Sequence, residues 1–507
     1  MNKKILSLEQ LCKKINILKK RKKIVVHCHG VFDLLHLGHI RHFEEAKKNG
    51  DILIVTVTSN KFVNKGPNRP MFNANQRLEA LSALHFVDFV AENDSSDAIK
   101  LIKFLKPNIY CKGPDYKKSN NDLSQKIQLE EKAIKSVKGK IIYTKSDTFS
   151  SSSIINDYIN FYDKDQSTFL KQLKKNIKFS YINQNINKCK KNKVLLIGEA
   201  IIDQYVFCES QGKSGKEPVL TMRILKTEEY LGGILAIAKH ISEFVHSITI
   251  VTMLGQNNKY FQYIKKRMPS NVKIIHINKK NSPTILKTRY IESLNKRKLL
   301  GIYDINDTLL DSNDEKKFQK LIIQHSKSKD LIITCDYGHG LISSSSSKLI
   351  CKLSKFKTLN AQINSSNLHY YSLEKYNNVD LIVINESEIR YHLRNRESKT
   401  EVLIKNLSKI IKAKTIVVTR GANGAILYDT KTRKFHNVPA FASKIVDKIG
   451  SGDALFAILS VMLKNRIDIN VSLFLSSLIA GDNVENINNS YFTTKNSILK
   501  KINHMMK

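Results

Sequence analysis

Short apolar runs alternate along most of the chain with stretches in which apolar residues recur every three or four positions. Ile24 to Cys28, Ile52 to Thr58, Val87 to Ala91, Ile109 to Lys112 and Lys140 to Thr144 read as strands, with helical patterns such as Ala74 to Leu84 and Asp97 to Leu105 between them. This alternation predicts βαβ units around a parallel sheet. A second, larger series opens at Val194 with VLLIGEAIID and continues through Ile248 to Leu254, Leu331 to Asp336, Leu381 to Asn385 and Ile416 to Thr419. The serine run Ser344 to Ser347 marks a helix start, and the tail after Leu463 keeps helical spacing. Between the two series, Phe161 to Asn192 is basic and Asn-rich with no strong apolar period, which predicts a partly helical linker. The expected organisation is therefore α/β throughout: a first domain over 1–160, a basic linker over 161–192 and a larger domain over 193–507.

Composition agrees with several buried cores. The chain has 507 residues, 41% hydrophobic and 25% charged, which excludes a disordered polymer or a collagen-like repeat. No apolar run approaches the roughly 20 residues that cross a bilayer, and MNKKILSLEQ leads straight into a polar helical pattern, so the expected location is the cytoplasm, with no membrane partner. Seven cysteines are scattered without a CxxC pair or zinc spacing, which predicts reduced, mostly structural thiols. The net charge of +39 would suit nucleic acid, a membrane surface or anionic small substrates. The lysines are dispersed and no aromatic-basic motif accompanies them, so compositional bias outweighs a nucleic-acid stripe.

Chemistry concentrates at two places. His29-Gly30-Val31-Phe32-Asp33-Leu34-Leu35-His36-Leu37-Gly38-His39 follows a predicted strand and opens a helix. A helix N-terminus offers unpaired N–H donors to a phosphate, and His36 and His39 sit on its first turn. Lys65-Gly66, Arg69-Pro70, Arg77, Lys112-Gly113-Pro114-Asp115-Tyr116 and the hydroxyl run Ser150, Ser151, Ser152 and Ser153 lie near the ends of later strands or at a helix start. In the larger domain, Asp447-Lys448-Ile449-Gly450-Ser451-Gly452-Asp453 precedes an apolar helix. Asn385-Glu386-Ser387-Glu388 and Thr419-Arg420-Gly421-Ala422-Asn423-Gly424 each follow a strand. Asp453 can accept a hydroxyl proton or merely cap a helix, and a carboxylate with an amide suits hydrated Mg²⁺.

In this order the first group resembles the cytidylyltransferase-like nucleotidyltransferases, which implies a Rossmann-like fold over about Lys23 to Asn160. By that resemblance His36, His39 and Lys65 act on the triphosphate. Gly30, Phe32, Asp33, Gly38, Arg77, Lys112, Ser150, Ser151 and Ser152 bind the nucleotide. The second group resembles the PfkB, or ribokinase-like, carbohydrate kinases over about Val194 to Lys507. There the resemblance makes Asp453 the base and assigns the nucleotide to Thr419, Gly421, Gly424, Gly450, Ser451 and Gly452. The substrate falls to Asp203, Gly232, Gly233, Lys287, Arg289 and Asp336, and Mg²⁺ to Asn385 and Glu388.

The pairing is similar to the bifunctional ADP-heptose synthesis family, with the domain order reversed. It implies a sugar kinase joined to a sugar-1-phosphate nucleotidyltransferase. The cofactors would be Mg²⁺ and ATP, with CTP the other candidate at the first site, and the partners a sugar phosphate and a nucleoside triphosphate; a homodimer is compatible with this reading. Departures concern the substrate: Ile234-Leu235-Ala236 follows Gly232-Gly233 where an Asn is usual, Asn360-Ala361-Gln362 replaces Asp-Pro-Lys, and Lys448 replaces Thr. His27-Cys28-His29 is also unusual in the first motif. The competing reading is a transferase acting on another phosphorylated alcohol, such as a polyol phosphate with CTP, beside a degenerate kinase domain.

Overall fold

The computed structural model describes residues 3–63, 69–114, 126–145, 162–364, 367–368 and 373–506. The chain divides into two compact units, Met1–Asp163 with Asn496–Lys507, and Lys164–Lys495. The interval expected as a linker carries two helices, Lys164–Asn176 and Phe179–Cys189. Leu170, Leu173, Ile182, Ile186 and Cys189 are buried on their inner faces, so the segment is amphipathic despite its basic surface.

In the first unit, α1 (Leu8–Lys20) begins at Ser7, whose side chain and that of Gln10 form a reciprocal capping box. The chain continues through β1 (Val25–Gly30), α2 (Leu37–Lys47), β2 (Ile52–Thr58), α3 (Ala74–Ser82), β3 (Phe89–Asn93), α4 (Ile99–Leu105), β4 (Ile109–Lys112), α5 (Lys126–Ser136) and β5 (Lys140–Tyr143). The five strands form a parallel sheet in the order β3-β2-β1-β4-β5. Val26, Leu53, Val55, Phe43, Leu78 and Leu81 fill one face. Leu11, Ile15, Val25, Ile54 and Leu101 fill the other. Each such side chain removed from water contributes about 1.5–3 kcal/mol. The strand order reverses between β1 and β4, and such a switch point opens a crevice at the carboxyl ends of the strands. Gly30, the start of α2 and Lys112 all lie at that end.

The second unit contains two sheets. β6 (Lys193–Gly198) is followed by β7 (Ala200–Lys213), β8 (Leu220–Gly233), β9 (Ser247–Gly255), β10 (Val272–Lys279), β11 (Leu286–Glu292), β12 (Lys298–Asp304), β13 (Leu331–Asp336), β14 (Phe356–Ala361), β15 (Val379–Asn385), β16 (Ala413–Thr419), β17 (Ala425–Asp429) and β18 (Lys434–Val438). The large sheet runs β10-β9-β6-β13-β14-β15-β16-β17-β18, parallel except for its last two strands. A four-stranded sheet, β12-β11-β7-β8, stands apart from it. The predicted run VLLIGEAIID is thus two strands in two sheets, divided at Glu199. Helix Ser344–Lys352 begins in the serine run, with the Ser343 hydroxyl accepting from the Ser346 N–H at 3.1 Å.

Candidate active sites

At the first switch point, His36 is the N-cap of α2, and its Nδ1 accepts from the Gly38 N–H at 3.1 Å. With Nδ1 accepting, the neutral ring carries its proton on Nε2, a donor of the kind phosphate oxygens take. The rings of His36 and His39 stack with centroids 3.9 Å apart. Phe32 adopts a left-handed φ of 49° and sets its ring edge-on against His39 at 5.3 Å and Phe43 at 4.9 Å. A side chain at Gly30 would meet that ring at 2.8 Å, so glycine is what lets Phe32 fold back.

The charged residues expected on the nucleotide make contacts within the protein. Arg77 is buried and donates to the carbonyls of Phe72 (2.9 Å), Val31 (2.7 Å) and Thr58 (2.9 Å) and to Asn60 Oδ1 (2.8 Å). It ties the loops after β1 and β2 to α3. Asp33 accepts from the Phe72 N–H at 3.0 Å and from Arg69 at 3.2 Å. Lys112 pairs with Glu130 at 3.0 Å. Lys65 and Ser150, Ser151 and Ser152 lie outside the described residues. His27 and His29 are bridged by the Thr56 hydroxyl, 2.8 and 2.9 Å from their ring nitrogens, and burial pushes the His27 imidazole down to about 3. Burial, with the nearby charge of Lys112, also pushes His42 down to about 4.

In the second unit, Asp453 stands in the first turn of helix Ser451–Lys464, and Gly450 caps that helix with φ +83°. A Cβ at Gly450 would strike Asn489 Oδ1 at 2.4 Å, whereas one at Gly452 or Gly421 would meet nothing within 4 Å. Gly450 therefore shapes the loop, and Gly452 leaves room over the helix start. Gly424, with φ +73°, faces the Val438 carbonyl, and Thr419 ends β16. Ser451 donates its hydroxyl to the Lys448 carbonyl at 3.0 Å.

Gln362 donates to Asp453 Oδ1 at 3.0 Å. Burial pushes the Asp453 carboxyl up to about 7, and the charge of Asp203 adds to the rise, against opposing contributions from Tyr337, Lys287 and Gln362. Asp203 pairs with Arg289 at 2.6 Å, and its other oxygen lies where a Gly232 side chain would be, 2.1 Å from that Cβ position. Burial pushes the Lys287 ammonium down, and Asp203, Arg289, Glu199 and Asp453 all act on it. These groups form one electrostatic cluster. Gly233, at φ +55°, starts helix Ile234–Ser242.

Two expected ligand groups are engaged with the fold. Asp336 accepts from Gly338 N–H at 3.0 Å and Tyr376 OH at 2.8 Å and pairs with Lys375 at 2.6 Å. Asn385 and Glu388 form a reciprocal capping box, and Glu388 also accepts from the Ile363 N–H at 3.2 Å. Burial pushes the Glu388 carboxyl up to about 7. Both donors are oxygen, which suits Mg²⁺, and each carboxylate oxygen retains a lone pair beside its N–H bond. Sequence reasoning missed Glu199, wholly buried between the sheets, which accepts from the Tyr337 and His339 N–H groups at 3.0 and 3.1 Å. Burial and the charge of Asp336 push its carboxyl up to about 7. A carboxylate inside an otherwise apolar strand run was the available signal.

The family description "pfkB family carbohydrate kinase" matches residues 191–491, more than half of the chain. The chain belongs to the pfkB family. The N-terminal part of this pfkB protein matches the cytidylyltransferase-like family over residues 27–157. There it is 42% identical over 132 residues to "Bifunctional protein HldE" of Campylobacter jejuni subsp. doylei, covering 25% of this chain and 28% of that protein. It is 44% identical over 115 residues to the HldE protein of Campylobacter fetus, covering 22% and 24%. These matches thus span about a quarter of the length of either relative. Phosphofructokinase-2 from Escherichia coli, 13% identical, shares the fold with a TM-score of 0.50 over 62% of this chain and all of that one.

Proposed function

We propose that the chain is a bifunctional enzyme that makes a nucleotide-activated sugar. Its second unit transfers the γ-phosphoryl group of ATP to a sugar or sugar phosphate. The substrate hydroxyl oxygen bonds to phosphorus as the bond to ADP breaks, and Asp453 takes the hydroxyl proton. Lys287 and Arg289 hold an anionic substrate beside Asp203, and the N–H groups of Ser451, Gly452 and Asp453 face the transferring phosphoryl. Asn385 and Glu388 would hold a hydrated Mg²⁺, which would neutralise phosphate charge.

In the first unit, the phosphate oxygen of a sugar 1-phosphate attacks the α-phosphorus of a nucleoside triphosphate and pyrophosphate leaves. His36 and His39 stabilise the charge on the phosphates. ADP-heptose or a close analogue is the best product, on the names of the relatives matched by the transferase unit.

The observation that carries the kinase reading is Asp453: a buried carboxyl near 7, held by Gln362, beside open space at Gly452 and acted on by Lys287, is poised to accept a proton near neutrality. The test is incubation with panels of sugar phosphates and ATP or CTP, with products weighed by mass spectrometry. Phosphorylated sugar with ADP, then nucleotide sugar with pyrophosphate, is expected. A CTP-specific product on a polyol phosphate, with no sugar phosphorylated, would favour the degenerate-kinase alternative. The exposed apolar residues Leu299, Leu300 and Ile302 of β12 suit self-association as a homodimer.

A further inference from the structure

Cys28 and Cys111 are register partners on adjacent parallel strands, β1 and β4, and are 0% and 1% exposed. His42, from α2, joins them. One ligand atom from each of the three residues lies within 4.8 Å of the others. Tetrahedral zinc, with sulfur at about 2.3 Å and nitrogen at about 2.0–2.1 Å, needs ligand separations of roughly 3.5–3.8 Å, so a modest contraction of side chains would close the set.

Two buried thiols alone are explained as small apolar groups in a core. His42, half-buried beside them, adds an imidazole nitrogen to the set. Its Nδ1 lies 2.9 Å from the Thr144 hydroxyl. That contact fixes the ring and leaves Nε2 as the nitrogen for a ligand, the usual way an outer hydrogen bond orients a metal-binding histidine. Lys112, next to Cys111, is paired with Glu130 at 3.0 Å, so its charge does not face an incoming cation alone.

We propose that Cys28, His42 and Cys111 form a binding site for a thiophilic divalent cation, zinc above all, inside the nucleotidyltransferase unit. The donor set is soft, two sulfurs and one imidazole, which selects zinc over Mg²⁺ or Ca²⁺. Both thiols give up their protons to solvent as the ion binds, and water completes the tetrahedron. The ion would cross-link β1, β4 and α2, the elements that carry His36, His39 and Lys112, and so would stiffen the nucleotide end of the unit.

The test uses the untagged full chain, stripped with chelator and reloaded with Zn²⁺ or Co²⁺ alone. About one equivalent of zinc per chain is expected, with an intense thiolate-to-cobalt charge-transfer band in the Co²⁺ form. Cys28→Ser with Cys111→Ser should abolish both, and Thr144→Val should weaken zinc binding about 10–100-fold while retaining the cobalt band. A wild-type readout needs no variant to fold: added Zn²⁺ should displace Co²⁺ and bleach the charge-transfer band. Sub-stoichiometric zinc with no thiolate band, a cobalt band that Zn²⁺ does not bleach, or full binding by the double serine variant would each overturn the site.

Discussion

The two units place their charge differently around the carboxyl ends of their parallel strands. In the nucleotidyltransferase unit, Arg77, Asp33 and Lys112 are bound to carbonyls, to Arg69 and to Glu130. They tie loops and strands together, and in the proposed reaction it is the stacked imidazoles at the α2 start that serve the phosphates. In the kinase unit, Asp203 and Lys287 act on Asp453, Arg289 acts on Lys287 and pairs with Asp203, and the carboxyl of Asp453 is lifted to about 7. The lesson is mechanistic. Nucleotidyl transfer to an existing phosphate needs positioned donors and no base, whereas phosphorylating a hydroxyl calls for a group that can take a proton.

The largest break in that contrast should come from Asp453→Asn. It removes base catalysis worth about 10² to 10⁴ in rate while leaving nucleotidyl transfer intact, measured as separate ADP and pyrophosphate release. Stability adds a sign. A carboxyl raised in the folded state binds its proton more tightly there than in the unfolded chain, so it costs stability as pH climbs from about 4 to about 7 and beyond. The Asn variant should therefore melt higher than wild type at pH 8, with the gain vanishing near pH 4. A variant that melts lower at pH 8 would show that Asp453 serves the fold.

Next in size, His36→Ala or His39→Ala should lower nucleotidyl transfer about 10²- to 10³-fold, the loss expected for one transition-state donor. His36→Ala should also cost about 1 kcal/mol through the lost cap. Wild-type transfer by the folded double variant would remove the histidines from the chemistry.

Arg77→Met sharpens the other side of the comparison. It strands buried carbonyls and should destabilise the first unit by about 3 kcal/mol, read as a lower denaturant midpoint, with the nucleotide KM unchanged in the folded protein. A raised KM at unchanged stability would return Arg77 to the nucleotide.

The smallest effect separates two glycines of one loop. Gly452→Ala meets open space, so melting should hold or rise slightly while phosphoryl transfer falls about tenfold as the methyl crowds the phosphate. Gly450→Ala, at φ +83° against Asn489, should lower the melting temperature first.

Much of the fold was legible because its strands are short apolar runs buried on both faces. β2, β4 and β13 fall where the pattern puts them, and, α2 with its His36 cap aside, the helices with a side-chain cap start at Ser, Asn or Asp. The small sheet was not legible: β12 is exposed along its whole length and β8 along most of it, so their apolar residues do not alternate with polar ones as in a half-buried strand. The helices of 164–189 hide an apolar face under lysines and asparagines. Among site residues, glycines and histidines are readable from spacing, since they answer to local backbone geometry. The partners of Arg77, Asp33 and Asp336 are not, because a charged side chain at a strand end can turn toward a ligand or toward carbonyls with the same sequence. Gln362 is the instructive case. As a departure from Asp-Pro-Lys it reads as a loss, and in the structure it donates to the base. The Cys28, His42 and Cys111 cluster was invisible for a related reason, its members coming from three separate elements.

If two reactions reside in two units with different chemistry, disabling one should spare the other. The most direct measurement is mass analysis of products from wild type, Asp453→Asn and His39→Ala given the same sugar phosphates, ATP and Mg²⁺. Asp453→Asn should lose the phosphorylated sugar yet still convert supplied sugar 1-phosphate to nucleotide sugar, and His39→Ala should do the reverse. Loss of both products in either folded variant, or of neither, would contradict it.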